Sequence, residues 1–115
     1  MFEVRAQTTR DGVVVVRVGG EVDLTVTAVL EQALLDAPKV ADVHAIVVDL
    51  EDLRFLDSSG VHALVKGYLA ARDAGLPFTI RNAAGVVARV LEITGVADAL
   101  GVAGDPDASE YPRGA

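Results

Sequence analysis

The chain has 115 residues, no Cys, two His, and 17 acidic against 10 basic residues, which gives a formal net charge of −7 at pH 7. This length predicts one domain with one core, and the lack of Cys excludes a disulfide framework, a thiolate metal site and a cysteine nucleophile. The charge disfavours nucleic acid and anionic membranes as partners, and no apolar run or N-terminal leader pattern is present, so we expect a cytoplasmic domain.

The first part of the chain predicts a β-hairpin followed by a helix. Apolar and polar residues alternate over 2–8, and the Asp11-Gly12 pair is typical of a tight turn before the valine-rich strand 13–18. The Gly19-Gly20 pair predicts the end of that strand. Apolar residues then recur at helical spacing over 25–37, and the proline that follows predicts the end of the helix.

The middle of the chain predicts a buried strand and a second helix. The strand covers 45–50 and is followed by the polar loop 51–52. Asp57 opens the helix, because Asp is a favoured capping residue, and Gly75 closes it as a left-handed cap.

The last part predicts one more strand and helix. The strand covers 77–81, and the helix is capped by Asn82 and ended by Gly95, with a short turn over 96–100. From 104–115 the chain is rich in Pro, Gly and acidic residues, which predicts a disordered acidic tail after a domain that spans 1–103.

The order ββαβαβα predicts the fold class. Each strand–helix–strand crossover returns the next strand in the same direction, so the later strands pair in parallel and the hairpin adds one antiparallel edge strand. We therefore expect an α/β protein with an open, mixed, four-stranded sheet and helices mainly on one face.

Polar side chains collect at the carboxyl ends of the parallel strands, where ligands of open α/β sheets bind. They are Glu21 and Asp23 in the first loop, and Asp57, Ser58 and Ser59 at the start of the second helix. Any functional site is therefore expected at this edge.

The residues give weak support to catalysis or metal binding. His62 follows Ser58 by one helical turn and shares its face, but no third residue is placed to orient it and no nucleophile elbow surrounds the serine. Glu21, Asp23 and Asp57 can hold Mg²⁺ only loosely without a phosphate-binding loop. We expect no enzyme activity, no metal and no cofactor.

Helix capping alone explains part of the Asp57-Ser58-Ser59-Gly60 sequence, because Asp57 can accept hydrogen bonds from first-turn N–H groups with help from Ser59. One cap needs a single side chain, however, whereas here two hydroxyls follow the carboxylate. This redundancy favours an additional role for the turn.

Three segments resemble a known family. They read GEVD over 20–23, VVDLEDLRFLDSSGV over 47–61, and RVLEITG over 89–95. Together they resemble the STAS domain of bacterial anti-sigma factor antagonists, and the similarity runs from about residue 2 to residue 102.

The resemblance implies a partner-switching cycle. The unmodified antagonist binds an anti-sigma factor that is also a serine kinase, which frees the sigma factor, and phosphorylation by the kinase ends the binding. Ser58 matches the phosphoacceptor. The residues expected to support interaction or phosphorylation are Glu21, Asp23, Asp57, Ser59, Gly60 and His62.

The resemblance also implies a protein phosphatase as a further partner, and we expect a monomer or weak dimer. The alternative is a scaffold subunit of a stress-signalling or transporter accessory complex. A small-molecule or nucleotide-binding module is supported only by analogy of fold.

The sequence departs from the family pattern at two places near the site. His62 stands where the family often has a small residue, and the helix start after Asp23 differs from the family pattern.

Overall fold

The structure of the chain is a computed structural model that describes residues 1–95 and 102–103. Its strands and helices follow one another in the order ββαββαβαβ. They are β1 Phe2–Thr8, β2 Val13–Val22, α1 Thr27–Asp36, β3 Ala45–Asp49, β4 Leu53–Leu56, α2 Ser58–Asp73, β5 Phe78–Arg81, α3 Gly85–Ile93 and β6 Val102–Ala103. The predicted short turn over 96–100 and the tail 104–115 lie outside the described residues.

The sheet is open and mixed, as predicted. Its strand order is β1-β2-β3-β5-β6, and β4 pairs with β2 beyond the point where β3 ends. The pair β1–β2 is antiparallel, whereas β2–β3, β2–β4, β3–β5 and β5–β6 are parallel. Two short strands, β4 and β6, therefore extend the four that the sequence predicts.

The core lies between one face of the sheet and the helices. On β2, Val14, Val16 and Val18 are each at most 1% exposed, whereas Val15 between them is only partly buried and Arg17 is exposed. This alternation is typical of a strand with one covered face. The helices thus cover mainly one side of the sheet, as expected.

The two longer helices pack closely because α2 has a glycine at their contact. A Cβ atom on Gly67 would lie 2.9 Å from Cβ of Leu34 on α1. The side chain of Lys66 also reaches across to α1 and bonds Glu31 at 3.1 Å. The position of α2, which carries the predicted acceptor serine, is therefore fixed against α1.

The first predicted helix is present as α1, but it is shorter than the predicted 25–37 at both ends. The α-helix begins at Thr27, after a tight turn held by Asp23, and it ends at Asp36. Pro38 does not stop helical structure, because it lies inside a 3-10 turn over Ala37–Lys39. A proline fits the first positions of such a turn, where its missing N–H group is not needed.

Two further sequence predictions are wrong. Gly19 and Gly20 lie within β2, which continues to Val22, so the glycine pair does not end the strand. Asn82 does not cap α3, whose N-cap is Ala84. The amide of Asn82 instead donates to Oδ1 of Asp49 at 2.9 Å, across the ends of β5 and β3.

Candidate interaction and modification site

The two loops of interest are held side by side because β2 and β4 are parallel neighbours. Val22 and Leu56 are register partners, and the backbone N–H of Asp57 donates to the carbonyl of Val22 at 3.2 Å. Adjacent strands lie about 5 Å apart. Asp23 and Asp57, which directly follow this last pair, therefore leave the sheet as neighbours.

Gly20 allows β2 to change its partner just before this point. Its φ is +86°, and the register between β2 and β4 shifts between Gly20 and Glu21. Such a bulge with a positive φ favours glycine. The shift pairs Glu21 with Phe55 and leaves the Glu21 side chain exposed, next to the candidate site but without a direct role in its hydrogen bonds within the described residues.

Asp57 caps α2. Its Oδ1 accepts the backbone N–H of Ser59 at 2.9 Å and that of Gly60 at 3.2 Å, and it also accepts the Ser59 hydroxyl. The first N–H groups of a helix have no partner within the helix, and an N-cap side chain supplies one. The capping interpretation of Asp57 is therefore confirmed, and it uses the hydroxyl of Ser59.

Ser58 carries the hydroxyl of this turn that takes no part in the cap. It is the first residue of α2 and is exposed, whereas Asp57 and Ser59 are partly buried. Among the residues that the structure describes, none forms a hydrogen bond with its side chain. The two serines are thus chemically similar but differ in availability, which favours Ser58 as the group that a partner reaches.

Asp23 holds a turn in the neighbouring loop by the same type of bond to the residue two positions later, although it caps no helix. Its Oδ1 accepts the backbone N–H of Thr25 at 2.9 Å and also the Thr25 hydroxyl. The hydroxyl bond and then the backbone bond lower the pKa of Asp23 below its ordinary value of 3.8, because both favour the charged form. Asp23 therefore adds a fixed negative charge beside Ser58, while its own hydrogen bonds go to Thr25.

Gly60 acts through packing. It is buried, and a Cβ atom there would overlap Cδ1 of Leu56 and lie 2.9 Å from Cγ1 of Val22. The glycine lets the first turn of α2 approach the ends of β2 and β4. It therefore sets the distance between the Ser58 turn and the Asp23 loop.

His62 lies one turn after Ser58 and is exposed. Both residues lie in the regular helix α2, and residues four apart share a helix face, so they lie on one face as the spacing predicted. No described residue forms a hydrogen bond with the His62 ring, so nothing orients it as a general base for Ser58.

Sequence reasoning missed three residues at this edge. Thr25 holds the Asp23 loop, and an Asp followed two positions later by Thr is a recognisable sign of such a turn. Leu24 is 77% exposed and Phe55 is 44% exposed, so each presents apolar surface beside the acidic loops. The exposure of Phe55 had no signal in the sequence, because the pairing of β4 with β2 sets it, whereas Leu24 lies in the turn between β2 and α1.

Over 1–95 and 102–103, no group of three or more His, Asp or Glu side chains is arranged to hold a metal ion. In the same part of the chain, no helix has both the length and the apolar character to cross a membrane.

An open mixed sheet with a capped serine turn at the carboxyl edge of its second strand defines a STAS-type α/β domain. The chain belongs to the STAS domain family, because the family model described as "Mlab, STAS domain" matches residues 6–102. The sequence resemblance and the fold prediction are thereby confirmed.

Similar proteins include antagonists of anti-sigma factors. An "Anti-sigma-B factor antagonist" of Staphylococcus aureus (strain NCTC 8325 / PS 47) is 32% identical over 96 residues, which cover 83% of this chain and 87% of the relative. The crystal structure of an anti-sigma factor antagonist from Mycobacterium paratuberculosis matches with a TM-score of 0.77 and 26% identity, over 100% of this chain and 96% of the other. Unphosphorylated SpoIIAA, an anti-sigma factor antagonist, matches with a TM-score of 0.74 and 22% identity, over 98% of each chain, and so shares the fold.

Proposed function

We propose that the chain is an anti-sigma factor antagonist that binds a serine-kinase anti-sigma factor and is released when Ser58 is phosphorylated. The observation that carries this proposal is the free, exposed hydroxyl of Ser58 on a turn whose second hydroxyl, that of Ser59, is held by Asp57. The role of the 32% identical relative supports the same class of partner. In this role the chain acts in the cytoplasm as a binding protein and a kinase substrate, and a protein phosphatase restores it.

The fold can accept a phosphate at Ser58. In the transfer, the Ser58 oxygen bonds to the γ-phosphorus of ATP bound by the kinase, the bond to ADP breaks, and the hydroxyl proton leaves to a base of the kinase. The product adds about −1.5 to −2 charges at pH 7. Because Ser58 is the first residue of α2, this charge lies at the positive end of the helix, which stabilises anions.

The partner, by contrast, meets the new charge directly. Two like charges about 6 Å apart repel by roughly 0.7 kcal/mol in bulk water and roughly 3 kcal/mol at an effective dielectric constant of 20. A loss of about 2.7 kcal/mol weakens binding a hundredfold. A phosphate that faces one carboxylate of the kinase therefore suffices to end the complex, with no change of backbone conformation.

The surface around Ser58 is suited to a protein partner. Leu24 and Phe55 provide exposed apolar contacts, and the same loops and strand ends carry the acidic residues Glu21, Asp23 and Asp57. Apolar anchors inside a polar rim are typical of protein interfaces. The matching surface of the partner is expected to be apolar at its centre, with basic groups opposite Glu21 and Asp23 and a carboxylate opposite Ser58.

Phosphorylation is tested by intact-mass measurement. The chain is incubated with ATP and each serine-kinase anti-sigma factor of the same organism. We expect one added phosphate on the wild type and on Ser59→Ala, and none on Ser58→Ala. The matched pair controls for the turn, because each variant removes one hydroxyl from it. A wild type that gains no phosphate with any of these kinases contradicts the proposal.

Release is tested by titration calorimetry with the same kinase. We expect Ser58→Asp to weaken binding at least about tenfold, and Ser58→Ala to bind like the wild type. The far-UV circular dichroism of both variants is expected to match the wild type, because the side chain is exposed. Unchanged binding of Ser58→Asp would instead favour the scaffold role.

A further inference from the structure

We propose that His62 is a positioning residue that contacts the phosphate on Ser58 and holds it against the first turn of α2. The inference rests on the proposed function, since it describes the modified state of that site. It begins from the regular helix Ser58–Asp73, in which His62 lies one turn after the acceptor and both side chains are exposed.

The direction of helical side chains brings the His62 ring toward Ser58. Every Cα–Cβ bond of an α-helix tilts toward the helix N-terminus, so a side chain covers the turn that precedes it. Residues at positions i and i+4 have Cβ atoms about 5 to 6 Å apart. A phosphate on Ser58 adds further reach, so an imidazole N–H can donate to one of its oxygens.

The other charged groups on α2 and on the elements packed against it leave this role to His62. Asp57 is occupied by the cap, and Lys66, one turn beyond His62, bonds Glu31 on α1. Within residues 58–65, which form the first two turns of α2, His62 is the one ionisable side chain. Arg72, the other cation of α2, lies in the last turn and pairs with Asp73 at 3.6 Å. On the packed elements, Lys39 of the 3-10 turn lies 3.9 Å from Asp36 of α1, and the other cations are Arg54 on β4 and Arg81 on β5.

The contact matters because it fixes the position of the phosphate and of its charge. A phosphoserine on an exposed first turn otherwise samples several rotamers, which spreads its charge over the surface. A phosphate held by the His62 ring and by the positive end of α2 keeps one position beside Asp23. The repulsion that releases the partner then acts at a defined place on the interface.

The test uses phosphoserine inserted at position 58 during synthesis, so no kinase is needed. The titration of its phosphorus resonance is followed by ³¹P NMR at low salt in the wild type, His62→Gln, His62→Lys and His44→Gln. His44 is the matched control, because it precedes β3 and lies at the opposite end of the parallel strands. The unmodified variants are compared by circular dichroism to confirm equal folding.

We expect the phosphate of the wild type to titrate at a lower pH than that of His62→Gln, by on the order of 0.3 to 0.5 pH unit. His62→Lys is expected to preserve the lower midpoint, and His44→Gln to match the wild type. The difference is expected to shrink in about 1 M salt, which screens exposed charges. Midpoints of the wild type and His62→Gln that agree within about 0.1 pH unit would overturn the proposal. A chain that no kinase phosphorylates would refute the proposed function without affecting this result.

Discussion

Replacement of Asp57 by alanine is expected to destabilise the chain by about 1 to 2 kcal/mol, because Asp57 supplies the N-cap of α2. The substitution removes the acceptor for the N–H groups of Ser59 and Gly60 and for the Ser59 hydroxyl. Loss of an N-cap side chain typically costs about 0.5 to 2 kcal/mol, and here three donors lose their partner in a partly buried turn, which places the cost in the upper half. For a domain of this size the melting temperature should fall by roughly 4 to 8 °C.

The assay is urea unfolding followed by circular dichroism, with Asp57→Asn as the informative comparison. Asparagine keeps a side-chain oxygen in the cap and loses only the charge, which is worth about 0.3 to 1 kcal/mol at a helix N-terminus. Asp52→Ala is the control, since it removes an exposed carboxylate that makes no side-chain hydrogen bond with the described residues. The reasoning is refuted if Asp57→Ala unfolds at the same urea concentration as Asp52→Ala, or if Asp57→Asn loses as much stability as Asp57→Ala.

Three further outcomes follow from the packing and the loop chemistry. Gly60→Ala is expected to lower the free energy of unfolding by about 1 to 2 kcal/mol, as measured by urea unfolding. The new methyl group would overlap Leu56, and the cost of this overlap exceeds the gain in helix propensity. Leu64→Ala, at a fully buried position of α2, is expected to cost about 2 to 5 kcal/mol, and a loss below about 1 kcal/mol would contradict the core assignment. The lowered pKa of Asp23 means that its bonds to Thr25 stabilise the chain above pH 3.8 and are lost as the pH falls through the lowered pKa. Thr25→Val should raise the pKa of Asp23 toward 3.8 in an NMR carboxyl titration, and an unchanged value would show that the hydroxyl bond is not its cause.

The features that sequence reasoning predicted correctly are those set by local pattern. The hairpin and the Asp57 cap depend on residues close together in the chain, so periodicity and capping chemistry indicate them. The parallel order of the later strands follows from the alternation of strands and helices along the chain. The exposure of Ser58 beside a bonded Ser59 also follows from that cap. The sequence alone, however, does not show which serine hydroxyl bonds Asp57, and only the hydrogen bonds in the structure distinguish Ser58 from Ser59.

The features that were missed depend on distant pairing. The strand β4 has only four residues, of which Arg54 and Phe55 are exposed, so no alternation identifies it, and its pairing with β2 alone makes it a strand. The Gly19-Gly20 pair is typical of a strand end, yet Gly20 keeps β2 in the sheet through a bulge that the later β4 stabilises. Asn82 is a residue type that often caps helices, but here its side chain bonds Asp49 at the end of another strand.

The division of β2 between two partners has a consequence for how this surface can diverge among relatives. The first half of the strand pairs with β3 and builds the core, whereas its end pairs with β4 and places the acceptor turn through the bond from Asp57 to Val22. Residues just beyond, such as Leu24, lie outside both ladders. Substitutions at these positions can therefore suit a new partner while both ladders, and with them the position of Ser58, stay intact.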